Sequence, residues 1–193
     1  MAWTRTAVVL LALSVGFSTG SAQADVIDFI LTGAAGEGLL EGNVDPATGE
    51  PGSGGIGSSG LYYDTDAQLL HIDIEWGSAN GYTDLSQDVF KLHLHGPTAG
   101  SGAGAFGQTA PLMITLNGFD PSATSGGLVA NFFIDDTQEP FLLENRTYIN
   151  VHLSDTDGGM LRGYLLAVPE PGATLPLLAL WGGWLARRRR SVG

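Results

Sequence analysis

The chain has 193 residues, enough for one globular domain with short extensions, and 44% of them are hydrophobic. It contains 29 glycines without a collagen-like triplet period, and its lack of cysteine excludes a disulfide framework, a thiolate metal site and a cysteine nucleophile. Between Asp25 and Ala186 there are 20 acidic and three basic residues, so nucleic acid is excluded as a partner because such a body repels phosphate backbones.

Residues 1–24 have the pattern of a secretory signal peptide. Arg5 precedes the apolar run Ala7–Leu13, and the small residues Ala22-Gln23-Ala24 follow after a polar stretch. The apolar run is too short to span a bilayer, whereas an A-x-A sequence at this distance is typical of a cleavage site. We therefore predict cleavage after Ala24 and a mature chain that begins at Asp25.

The body, residues 25–167, lacks a helical period and has short alternating or apolar runs between glycine-rich turns. This pattern predicts an all-β domain, an antiparallel β-sandwich of about eight strands. Two glycine-rich stretches, Gly42–Gly60 and Gly96–Gly107, are predicted to be loops. The predicted strands are Val26–Thr32, Gly60–Tyr63, Leu69–Trp76, Val89–His95, Leu112–Leu116, Leu128–Ile134, Thr147–Leu153 and Leu161–Ala167.

Histidines recur on the polar faces of these strands. Alternation places His93 and His95 on one face of their strand, with leucines on the other, and gives His152 the same position in its own strand. If the two strands are neighbours, three neutral imidazoles meet and can bind zinc or copper. His71 is a candidate fourth ligand.

A second interpretation of the same residues needs no metal. The histidines would then hydrogen-bond to the Gly96-Pro97 turn and to Asn150 or Arg162, and would only fix the loop. For Arg162, which lies within a predicted strand, we expect a salt bridge or hydrogen bonds to carbonyl groups rather than anion binding.

Two segments of the body resemble the chordin-type (CHRD) domain. The first is His93-Leu94-His95-Gly96-Pro97 with the glycine-rich stretch after it, and the second runs from Tyr148-Ile149-Asn150-Val151-His152 to Gly159-Met160-Leu161-Arg162-Gly163-Tyr164-Leu165. In that family the corresponding segments read H-I-H-G-P-A and Y-V-N-V-H…G-E-I-R-G-Q-L. The resemblance implies a compact β-rich extracellular domain without an established enzymatic activity.

Residues 168–193 form a tail with three parts in a fixed order. Val168-Pro169-Glu170-Pro171 precedes the apolar stretch Gly172–Ala186, and four arginines follow, Arg187–Arg190. As a helix the apolar stretch would be about 22 Å long, short of the roughly 30 Å hydrocarbon core, and the positive-inside rule would keep the arginines cytoplasmic. A plain membrane anchor is one interpretation of this tail.

The order of these three parts also resembles the PEP-CTERM sorting signal, with Pro169, Glu170 and Pro171 as its motif. This resemblance implies a precursor held transiently in the inner membrane, an exosortase-type processing enzyme as a partner, and a product at the cell surface or outside the cell. Extracellular polysaccharide is a further candidate partner.

The sequence therefore predicts an exported, non-enzymatic binding or structural domain of the cell surface or matrix. The alternative is a metal-dependent zinc or copper protein, redox-active or simply metal-binding, that uses His93, His95 and His152.

Overall fold

The computed structural model describes residues 25–121, 123–153 and 159–169. The predicted signal peptide, its cleavage site at Ala24, Glu170 and Pro171 of the sorting motif, and the predicted C-terminal helix lie outside these ranges. Within them, no helix has the length and apolar content needed to cross a membrane.

The described residues form an all-β domain, as predicted, with one short helix, α1 (Glu139–Leu143). Three 3-10 turns interrupt the loops, at Glu41–Asn43, Ser78–Asn80 and Gly102–Ala105. The strands are β1 (Val26–Gly33), β2 (Gly36–Glu37), β3 (Leu39–Leu40), β4 (Ser53–Asp64), β5 (Leu69–Trp76), β6 (Val89–His95), β7 (Leu112–Thr115), β8 (Gly126–Phe133), β9 (Tyr148–Leu153) and β10 (Gly159–Ala167).

These strands belong to one antiparallel sheet, in which the eight longer strands follow the order β8-β5-β4-β1-β10-β9-β6-β7. The short strand β2 pairs with β1, and β3 joins β4 to β10. Each of the eight predicted runs overlaps one of the longer strands. Seven agree to within about two residues at either end, whereas β4 begins at Ser53, well before its predicted run Gly60–Tyr63. The two very short strands were not predicted, because two residues carry no periodic signal.

The main apolar core lies against one face of this sheet and draws residues from both halves of the strand order, which makes the fold sandwich-like. A smaller buried cluster contains Ala105, Tyr148 and Tyr164. In β5 the predicted apolar face is confirmed, since Leu70, Ile72, Ile74 and Trp76 are all fully buried, whereas Asp73 on the polar face is buried as well. In β6 and β9 the apolar positions between the polar ones are buried as well. The polar positions of β6 and β9 therefore share the opposite face, away from this core.

The predicted loop Gly42–Gly60 is wrong in its second half, because β4 begins at Ser53. Glycines in this part of β4 allow close packing on the neighbouring strand. A Cβ on Gly54 would overlap the carbonyl oxygen of Glu75, and a Cβ on Gly57 would overlap the carboxylate of Asp73. A glycine-rich sequence here thus indicates a strand packed tightly on its neighbours.

Candidate metal centre

The strands that carry the predicted ligands are neighbours. β6 and β9 pair antiparallel, with His93 opposite Asn150, His95 opposite Tyr148 and Lys91 opposite His152. In this register, side chains at alternate positions of the two strands project to the same face of the sheet. The sequence predicted a three-histidine cluster on the condition that these two strands are neighbours, and the structure meets that condition.

The three imidazoles lie together, with one ring nitrogen of each residue within 4.8 Å of the others. Ring centroids are 4.7 Å apart for His93 and His152, 5.4 Å for His93 and His95, and 6.0 Å for His95 and His152. Nitrogens bound to one tetrahedral zinc ion are about 3.4 Å apart, given bonds of about 2.05 Å. Small side-chain rotations would bring this cluster to that spacing.

His95 has the hydrogen bonding expected of a metal ligand. Its Nδ1 lies 3.0 Å from the carbonyl oxygen of Ala110, and because a carbonyl can only accept, Nδ1 must donate. In the neutral ring this leaves the lone pair on Nε2, which is buried and has no hydrogen-bond partner among the described residues. Histidines that bind metals commonly donate their other ring N–H to a backbone carbonyl in this way.

The surroundings of His93 and His95 favour the neutral form of both rings. Burial lowers the pKa of His93, and the neighbouring His95 and the ammonium of Lys91 lower it further. Burial also lowers the pKa of His95, in part offset by the hydrogen bond to Ala110, and the Arg162 guanidinium adds to the decrease. Neutral imidazole is the form that binds a metal, so this environment favours ligation at neutral pH.

An aromatic and cationic layer supports His95 from β9 and β10. The Tyr148 ring stacks on His95 with centroids 5.0 Å apart and an angle of 8° between planes, and its hydroxyl accepts the Ala110 N–H at 3.0 Å. The Arg162 guanidinium lies 4.2 Å from the centroid of the same Tyr148 ring. Alternation along β9 puts Tyr148 on the same face as His152, but its stacking on His95 depends on the register between strands, which the sequence does not give.

Arg162 is 3% exposed, and its hydrogen-bond partners are neutral groups. Of the two roles predicted for it, a salt bridge or hydrogen bonds to carbonyl groups, the structure shows the second. Its Nε donates to Oδ1 of Asn150 at 2.9 Å, and one terminal nitrogen donates to the Gln108 carbonyl at 3.2 Å. The described hydrogen bond of His95 goes to the carbonyl of Ala110 and not to the Gly96-Pro97 turn that the metal-free interpretation named. The loop that contains Ala110 is thereby fixed beside the cluster.

His71 is not a fourth member of this cluster. It lies on β5, where Nε2 is 3.0 Å from Ser59 Oγ and Nδ1 is 2.8 Å from Asn131 Oδ1. The described histidines that could share one ion are His93, His95 and His152. Alternation correctly placed His71 on a polar face, but β5 pairs with β4 and β8 rather than with β6 or β9.

A second polar cluster surrounds His71, and the sequence did not predict it. The backbone N–H and the hydroxyl of Ser59 both donate to Oδ2 of Asp73, each at 2.7 Å. Ser59 Oγ thus lies within hydrogen-bond distance of both the Asp73 carboxylate and Nε2 of His71. The cluster therefore links the irregular segment of β4 between Ile56 and Leu61 to β5.

Comparison with protein families gives one match, to the family model described as the CHRD domain, over residues 30–165. The matched region extends from β1 to β10 and contains all three clustered histidines. No curated protein and no solved structure matches the chain significantly.

Proposed function

The chain belongs to the CHRD domain family, and from this premise we propose that it is an exported, non-enzymatic binding domain of the cell surface or extracellular matrix. The family match supports the domain assignment, and the strongly acidic composition of the body supports a soluble exterior that repels polyanions. The signal-like residues 1–24 and the motif Pro169-Glu170-Pro171 support export followed by exosortase-type processing. Extracellular polysaccharide remains our candidate macromolecular partner.

We propose further that the ligand of the histidine cluster is a single zinc or copper ion, bound by His93, His95 and His152. The buried Nε2 of His95 carries this proposal, because a lone pair without a hydrogen-bond partner inside a protein is costly unless a ligand uses it. Three neutral imidazoles suit both metals, and a site with three protein ligands keeps a fourth position open. We assign no reaction to this site.

Metal titration of the full chain in mild detergent, after treatment with a chelator, tests the metal site. Zinc or copper should bind at one equivalent and raise the melting temperature, since a ligand at 100 times its Kd stabilises the folded state by about 2.7 kcal/mol. His95→Ala should abolish both effects. His71→Ala is the matched control and should retain binding, because His71 lies on β5, outside the cluster.

Elemental analysis of the dialysed protein gives an independent measure of the same site. One contrary outcome is that the wild-type chain retains neither zinc nor copper and shows no change in melting temperature when either metal is added at pH 7.5. The histidines would then be purely structural residues. Equal loss of metal in His95→Ala and His71→Ala would place the bound ion outside the described cluster.

A further inference from the structure

Strand β8 forms one edge of the sheet and has none of the usual protection of an edge. Among the described residues it pairs with β5 and with no other strand. Its eight residues follow β5 in an unbroken register, and they include no proline and no charged residue. Edge strands are usually short, bulged, charged or interrupted by proline, because a long regular edge pairs with other chains. The opposite edge follows that rule, since β7 has four residues and a register shift against β6.

The register identifies the backbone groups that face this free edge. The Ile134 N–H donates to the Gln68 carbonyl at 2.9 Å, which puts the hydrogen-bonded pairs with β5 at the even-numbered residues of β8. The backbone groups of the odd-numbered residues therefore point away from β5. These residues are Gly127, Val129, Asn131 and Phe133. Within the described part of the chain their N–H and C=O groups have no backbone partner, so they form a template for one more strand.

Apolar side chains lie on the same strand. Val129 is 65% exposed and Phe133 is 61% exposed, the two highest values among the large hydrophobic residues of the described ranges. Asn131 lies between them and is held by its hydrogen bond to His71. A strand added at this edge would therefore gain apolar contacts in addition to backbone hydrogen bonds.

A second copy of β8 fits this edge in the antiparallel orientation. When Ala130 lies opposite Ala130 of the second copy, Val129 lies opposite Asn131 and Gly127 lies opposite Phe133. Every outward N–H and C=O of the strand then belongs to a hydrogen-bonded pair, as two-fold symmetry requires. The phenyl ring of Phe133 meets a glycine, which leaves room for the ring to pack over the backbone.

Charge favours the same orientation. The acids Asp135 and Asp136 follow the C-terminal end of β8. In an antiparallel pair the acids of the two copies lie at opposite ends of the paired strands, whereas in a parallel pair they would be adjacent and would repel each other. The segment is thus complementary to itself in one orientation.

We propose that the domain forms a two-fold symmetric dimer in which β8 pairs antiparallel with β8 of a second copy of this chain. The two sheets then join into one across the interface. This inference adds a partner and an interaction surface to the proposed function. It does not depend on the metal site, whose ligands lie on β6 and β9.

Analytical ultracentrifugation of the full chain, in density-matched mild detergent with a chelator, measures the association. The wild type should sediment with twice the 20.1 kDa mass of one chain. Val129→Pro should weaken the dimer by at least about tenfold, because the symmetric pair uses the Val129 N–H twice, while the hydrogen bonds between β8 and β5 remain. Val129→Thr is the matched control, since it keeps the N–H and the branched side chain, and it should dimerise within about threefold of the wild type.

A single introduced cysteine tests the register, because the chain has no cysteine of its own. Residues opposite each other in a non-hydrogen-bonded pair have Cα atoms about 4.5 Å apart, within the range that a disulfide spans. Ala130→Cys should therefore form a disulfide between two chains when oxidised glutathione is added. Leu112→Cys places an exposed cysteine on β7, at the opposite edge, and should not.

A monomeric wild type would overturn the dimer. A dimer that persists unchanged in Val129→Pro would show that the contact lies elsewhere, for example in the apolar stretch Gly172–Ala186, and would overturn the role of β8. Dimerisation of Ala130→Cys without a disulfide would overturn the register centred on Ala130. Circular dichroism checks that each variant folds, and if Val129→Pro does not, the cysteine pair alone decides the proposal.

Discussion

At the scale of single residues, His93 and His95 are in an environment that resists protonation. Burial is the largest cause of the lowered pKa of each, and nearby positive groups act in the same direction. In the unfolded chain a histidine titrates near its ordinary value of about 6.5. The unfolded state therefore binds more protons than the folded state once the pH falls below about 6.5.

This difference predicts the pH dependence of stability of the metal-free protein. The contribution of the two histidines to the free energy of unfolding should be complete above pH 6.5 and should be lost as the pH falls through their lowered folded pKa values. Urea denaturation between pH 7.5 and 5 in the presence of chelator measures this slope. His95→Gln, which can still donate to Ala110, should flatten it. A variant slope as steep as that of wild type would contradict the assignment of the effect to His95.

At the scale of the elements, the irregular segment of β4 depends on one glycine. Gly57 lies directly over the Asp73 carboxylate, which is 3% exposed and accepts two hydrogen bonds from Ser59. Since a methyl group would overlap that carboxylate, either the strand or the aspartate would have to move.

Gly57→Ala should therefore lower the free energy of unfolding by about 3 kcal/mol, measured by urea denaturation at pH 7.5. Gly104→Ala is the matched control, because the space beside Gly104 is open. It should change stability by less than about 0.5 kcal/mol. Similar losses in the two variants would show that glycine flexibility, and not packing on Asp73, determines the effect.

The elements also show what periodicity can and cannot predict. One face of each strand is buried, so apolar and polar residues alternate along the sequence with a period of two. This alternation predicted β5, β6 and β9 and placed His93, His95 and His152 on polar faces. Strand order is set by long-range pairing that a single sequence does not reveal, so His71 was grouped with histidines of another part of the sheet. The start of β4 was missed because its glycines have no side chains from which a period can be read.

At the scale of the whole molecule, the metal site and the export signals make separate predictions. The described domain reaches only to Pro169, while the sorting proposal depends on the sequence after it. The apolar stretch Gly172–Ala186 would be about 22 Å long as a helix, too short for a stable span across a core of roughly 30 Å. A tail of this kind suits a transient intermediate better than a permanent anchor.

The sorting proposal predicts two forms of the protein in a host with an exosortase-type enzyme. The precursor should fractionate with the inner membrane, and the released form should end near Pro169-Glu170-Pro171 and lack the Arg187–Arg190 cluster, because cleavage removes both the apolar stretch and its cytoplasmic charges. Mass spectrometry of each fraction identifies the C-terminus. Replacing the three motif residues with alanine should leave the precursor in the membrane, while His95→Ala, which alters only the proposed metal site, should be processed normally. A released form that still carries the four arginines would show that the tail is a plain anchor or a secreted extension and not a sorting signal.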